Sequence, residues 1–95
     1  MNPELPTLKH YYPNIPTLGN VAISRHAQAQ AINAGFNDSM IEDTLRNGTE
    51  VPDGQNVVFK EKALLRMVIN KKPTPFKGAA LCTTIIRLKP QEKAK

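Results

Sequence analysis

Two stretches, Leu64–Asn70 (LLRMVIN) and Leu81–Lys89 (LCTTIIRLK), decide how this 95-residue chain is read. Both are rich in Val, Ile, Leu and Thr, the residues that suit a pleated, half-buried strand. A loop with Lys71, Lys72, Pro73, Pro75 and Gly78 joins them. Strand side chains alternate between faces, so each run divides into two sets. Leu65, Met67 and Ile69 form an apolar set, with Leu64, Arg66, Val68 and Asn70 opposite. In the second run Cys82, Thr84, Ile86 and Leu88 form the more apolar set, with Leu81, Thr83, Ile85, Arg87 and Lys89 opposite. Asn56–Lys62 alternates in the same way, which places Val57 and Phe59 in the core and Val58, Lys60 and Lys62 on the far side. Pro52-Asp53-Gly54 is a turn signal between that run and a short extended Glu50-Val51.

Helical signals come earlier in the chain. Ser24 is a favoured N-cap, Ala27, Ala31, Ile32 and Ala34 follow at helical spacing, and Gly35 is a typical stop. A second helix is capped by Asn37 or by Ser39, which has Glu42 at capping-box spacing. Met40, Ile41, Thr44 and Leu45 give that helix its core stripe, and Gly48 ends it. Before both, Pro3, Pro6, Pro13 and Pro16 exclude a continuous helix over residues 1–19. That segment is expected to be an extended proline-rich arm anchored by Tyr11 and Tyr12, or the end of a linker to an upstream domain. Residues 20–89 are expected to form one domain and residues 90–95 a disordered tail. The expected fold is α+β: two N-terminal helices packed on one face of a three- to four-stranded, mainly antiparallel sheet.

Composition narrows the functional classes. No apolar run approaches the ~20 residues a membrane-spanning helix needs, so no membrane span is expected, and export would require a larger precursor. One cysteine and two histidines provide no zinc-ligand spacing, so neither metal nor other cofactor is expected. Cys82 lies in an apolar strand pattern and reads as buried and inert. Net charge is +5, with three Lys/Arg against four Asp/Glu in residues 1–48 and ten against four in residues 49–95. That asymmetry points to a polyanion or an acidic protein as partner.

Alternation gathers Lys60, Lys62, Arg66, Thr83 and Arg87 on one sheet face, a set suited to phosphate. His26 follows Ser24 in the first helical turn, where backbone N–H groups favour an anion. An imidazole titrates near neutrality and is suited to take a proton from an attacking hydroxyl. RNA carries that hydroxyl, the 2′-OH, beside its scissile phosphate. His26, Lys60, Arg66, Thr83 and Arg87 are therefore the candidate catalytic set. Arg25, Lys62, Thr84 and Lys89 are candidate RNA contacts, and a one-residue slip of register would exchange Thr83 and Thr84. Acid and base roles are open between His26, Lys60 and Lys62. His10, in the arm, reads as incidental.

Residues 24–36, SRHAQAQAINAGF, resemble the opening helix of a family of small bacterial domains with the pattern S-x-H-A-x-x-R-x-x-x-R-G-I. His26, Ala27 and Gly35 match it, Phe36 replaces Ile, and Gln30 and Ala34 stand where the family has arginines. A second helix ending in Gly and runs like VVF, RMVI and TTIIRL complete the resemblance over about residues 20–89. The family belongs with the toxin modules of the barnase/EndoU/colicin/RelE superfamily, in particular the C-terminal toxin domains of contact-dependent growth inhibition proteins. The resemblance implies a metal-independent endoribonuclease that cuts RNA, with tRNA the expected substrate. Such a domain is released from a larger secreted or surface protein and acts in the cytoplasm of a target bacterium. It is monomeric apart from its complex with an acidic immunity protein. A non-catalytic RNA- or protein-binding module and a chromosomal toxin–antitoxin ribonuclease are the alternatives.

Overall fold

Pro13 and Pro52 fall on the two outermost strands of a single sheet, the one place where a residue without an N–H costs no ladder hydrogen bond. The computed structural model describes residues 8–72 and 79–89. The expected loop residues Pro73, Pro75 and Gly78, the start of the arm (residues 1–7) and the expected tail (residues 90–95) lie outside the described residues.

Among the described residues the order is β1 (Tyr11–Ile15), β2 (Gly19–Ile23), α1 (Arg25–Ala34), α2 (Asp38–Asn47), β3 (Thr49–Pro52), β4 (Val57–Lys62), β5 (Leu65–Asn70) and β6 (Ala80–Arg87). The sheet order is β1-β2-β6-β5-β4-β3. All neighbours are antiparallel except β2 and β6, which run parallel. The expectation of three to four mainly antiparallel strands behind two N-terminal helices is thus corrected: six strands form one mixed sheet, and two of them precede the helices. The prolines of residues 8–19 interrupt a helix but not an edge hairpin. Its tight reversal uses Asn14 (φ 58°), Thr17 (φ 66°) and Gly19 (φ 75°). Tyr12 anchors the hairpin, fully buried with its hydroxyl donating to Asp38 (3.3 Å), whereas Tyr11 is exposed.

Both helices form for the reasons their ends declare. Ser24 Oγ accepts from the Ala27 N–H at 3.0 Å, and Gly35 closes α1 in the left-handed region at φ 83°. For α2 the cap is Asn37, accepting from the Met40 N–H at 2.9 Å. Glu42 reaches Arg46 and Lys9 and completes no capping box with Ser39. Ile41, Thr44 and Leu45 are buried as expected, while Met40 is 40% exposed.

One core fills the space between helices and sheet, and cross-strand pairing shows which residues enter it. Ile23, Cys82, Ile69 and Val58 form one row across the buried face; Ile85, Met67 and Lys60 form the next; Arg87, Leu65 and Lys62 form a third. Two alternation readings are overturned. On β4 the inward set is Val58, Lys60 and Lys62, not Val57 and Phe59. On β6 a bulge at Thr83 lies opposite the Val68–Ile69 step, so Cys82 and Ile85 both point inward. Thr84 and Ile86 then join Arg66, Val68 and Phe59 on the open face, and Arg87 crosses to the helix side.

Gly48 shows how tightly α2 meets the sheet. A Cβ there would lie 2.4 Å from the Thr44 carbonyl oxygen and 2.8 Å from that of Glu61, both rigid backbone. Gly48→Ala is expected to destabilise the fold by about 1–3 kcal/mol, the usual range for overpacking. Urea unfolding measures this, and an unchanged midpoint would contradict the close approach of α2 to β4.

Candidate functional site

When β2 turns into α1 after Ile23, β6 loses its strand neighbour on that edge. The helix takes over. Ser24 N–H donates to the Cys82 carbonyl (2.9 Å), and the Ser24 hydroxyl to that of Thr83 (3.5 Å). Gln30 Oε1 accepts from the Ile85 N–H at 2.9 Å, and Arg87 donates to the Ala34 carbonyl. Helix α1 therefore lies along β6 from Thr83 to Arg87, with Ala27 and Ala31 buried beneath it.

This seam leaves a groove of about 510 Å³ lined by Gln30, Asn33, Ala34, Ile85, Ile86 and Arg87. His26 is exposed in the first turn and shares the flank of Gln30 and Asn33, which follow it at i+4 and i+7. On the other flank a second depression of about 580 Å³ is lined by His10, Ala22, Ile23, Ser24, Arg25, Gln28 and Leu81. Arg25 thus lines the second depression, while His26 lines neither and lies one helical turn before Gln30 of the groove. His10, read as incidental from the sequence, lines this second depression. Its position depends on β1 pairing beside β2, with its carbonyl accepting from Ile23 N–H, and nothing near it in sequence announces that.

The predicted residues divide into three places. His26, Arg25 and Thr83 share the start of α1, and Arg87 lies at the far end of the same seam. Ala34, which binds Arg87, is eight residues and so ~12 Å along the axis from His26. Arg66 and Thr84 occupy the open face, Thr84 opposite Val68. Arg66 stacks over Phe59 (4.7 Å) and binds Glu61 at 2.6 Å, so its charge is matched locally. Lys60 and Lys62 belong to the helix side. Lys60 is only 4% exposed, its amino group 3.4 Å from the Gly48 carbonyl at the end of α2 and 3.8 Å from Glu50. There its cation faces the negative end of the helix. Lys62 binds Asp43 at 2.6 Å. Lys89 is exposed just beyond β6. The expected single basic face is therefore not assembled, and neither lysine is placed beside His26.

Cys82 is fully buried, and burial pushes its thiol up to about 12, which disfavours the thiolate. Among the described residues no three His, Cys, Asp or Glu side chains cluster as metal ligands, and no helix is long and apolar enough to cross a membrane. Compared with protein-family models, curated proteins and solved structures, the chain matches none.

Gln30→Leu is expected to leave the Ile85 N–H without an acceptor and to cost about 1–3 kcal/mol. Amide exchange at Ile85 should accelerate first. Unchanged protection there would show that the seam does not depend on Gln30.

Proposed function

We propose that the chain is a metal-independent endoribonuclease that draws single RNA strands over the first turn of α1. The observation that supports it most is the exposed His26 next to Arg25 of one depression and one turn before Gln30 of the other, whose cations Arg25 and Arg87 have no acidic partner among the described residues. In this reading a phosphate rests at the start of α1, where the Arg25 and His26 N–H groups precede the capped Ala27. His26 removes the proton from the adjacent 2′-OH. The 2′-oxygen forms its bond to phosphorus as the bond to the 5′-oxygen breaks, and solvent in this open groove protonates the departing oxygen. The products are a 2′,3′-cyclic phosphate and a free 5′-hydroxyl. Arg25 and Arg87 hold flanking phosphates, with Gln30 and Asn33 as polar contacts between them.

Substrate choice of tRNA, delivery from a larger secreted protein into a target bacterium, and neutralisation by an acidic protein come to this reading from the family resemblance over about residues 20–89. A second reading, a non-catalytic RNA- or protein-binding module, is favoured by the internal pairing of Lys60, Lys62 and Arg66, which leaves fewer cations for phosphate.

Incubation of the purified chain with total tRNA in EDTA separates the two. Cleavage to cyclic-phosphate ends is expected, reduced about 10²–10⁴-fold in His26→Ala with its circular dichroism unchanged. Intact RNA with folded wild-type protein would reject the nuclease. Equal cleavage by His26→Ala would reject the assigned base.

A further inference from the structure

Arg87 also stands at the mouth of a separate cavity, on the helix side of the sheet. It measures about 230 Å³ and is enclosed by Phe36 at the α1–α2 corner, Met40 and Thr44 of α2, and Leu64 and Leu65 of the β4–β5 hairpin. The walls are apolar. Phe36 and Leu65 are buried, and the Thr44 hydroxyl already donates to the Met40 carbonyl at 2.9 Å.

Charge at the mouth is unbalanced. Lys62 and Asp43 neutralise each other at 2.6 Å, and Asn47 donates to Asp43 as well. Those hydrogen bonds, that of Lys62 first, hold the Asp43 carboxyl below its ordinary value. Arg87 differs. Its guanidinium lies 5.0 Å from the centre of the Phe36 ring, spends one N–H on the Ala34 carbonyl, and has no acidic partner among the described residues. A guanidinium has five N–H donors in a planar fork, so most of this one remains for a ligand.

We infer that this cavity binds a small carboxylate with an apolar body. The body packs against Phe36, Met40 and Leu64, and the carboxylate takes the Arg87 fork. The volume is below the ~300–1,000 Å³ of pockets for drug-sized ligands, so the ligand is smaller than those. An anion without an apolar body leaves these walls unused, and an apolar molecule without a charge leaves Arg87 unmatched. The inference is independent of the nuclease reading, since only Arg87 is shared.

The test is titration of the full-length, isotope-labelled chain with hexanoate, followed by backbone amide shifts. Saturable shifts confined to Phe36, Met40, Leu64 and Arg87 are expected, with affinity on the order of millimolar for so small a ligand. Hexanamide, which keeps the body and loses the charge, should bind about tenfold more weakly or worse. Met40→Trp, at a half-exposed wall position, should abolish the shifts while leaving thermal unfolding in place. Absence of saturable shifts, equal binding of hexanamide, or shifts that survive Met40→Trp would each overturn the proposal.

Discussion

A strand edge inside a protein must find hydrogen-bond partners, and β6 finds two different kinds along its length. From Ala80 to Cys82 it pairs with β2; from Thr83 onward α1 replaces that strand, through Ser24, Gln30 and the Ala34 carbonyl. The bulge at Thr83 sits at the change of partner. It re-aims every later side chain of β6, sending Ile85 into the core, Ile86 to the open face and Arg87 to the helix side. The groove beside His26 and the cavity beside Phe36 both follow from that one extra residue, because both are bordered by Arg87.

The same constraint explains why the basic half of the chain does not present one basic face. Lys60 and Lys62 are drawn inward by the register of β4 on β5, where they meet the end of α2 and Asp43. The Lys60 stem fills core space between Glu50 and Met67 while its amino group satisfies backbone, a compromise long side chains allow. Arg66 stays on the open face but is matched by Glu61. Among the described residues Arg25, Lys71, Lys72, Arg87 and Lys89 have no acidic partner, and of these the two arginines bracket α1. A polyanion reading thus moves from the sheet face to the helix seam.

Much of the fold was legible where the signal is local. Ser24 and Gly35 bound α1 because cap chemistry acts over one turn, and Leu65, Met67 and Ile69 face inward because β5 is regular and paired on both sides. Other features depend on contacts distant in sequence. The β1–β2 hairpin was hidden because Pro13 is acceptable only on an edge, and edge position follows from the parallel pairing of β2 with β6. On β4 both alternate sets mix polar and apolar residues, so periodicity alone did not choose between Phe59 and Lys60. The Thr83 bulge leaves no mark in a run of β-formers, and His10 reaches the depression beside Arg25 only through the hairpin. Of the candidate site, His26, Arg25 and Arg87 were named as site residues from the sequence, whereas Gln30 and Asn33 were not, because only the packing of α1 along β6 brings them to the groove.

The register of β6 is the point on which this account stands, and inter-strand proton contacts in the labelled chain report it directly. The account predicts Val68 opposite Thr84 and Ile69 opposite Cys82, Thr83 without a cross-strand partner on β5, and Arg87 side-chain protons against the Phe36 ring. A continuous ladder that runs on from Ile69 opposite Cys82 to Val68 opposite Thr83 would contradict it: Ile86 would then stand opposite Leu65, and Arg87 would leave both the groove and the cavity.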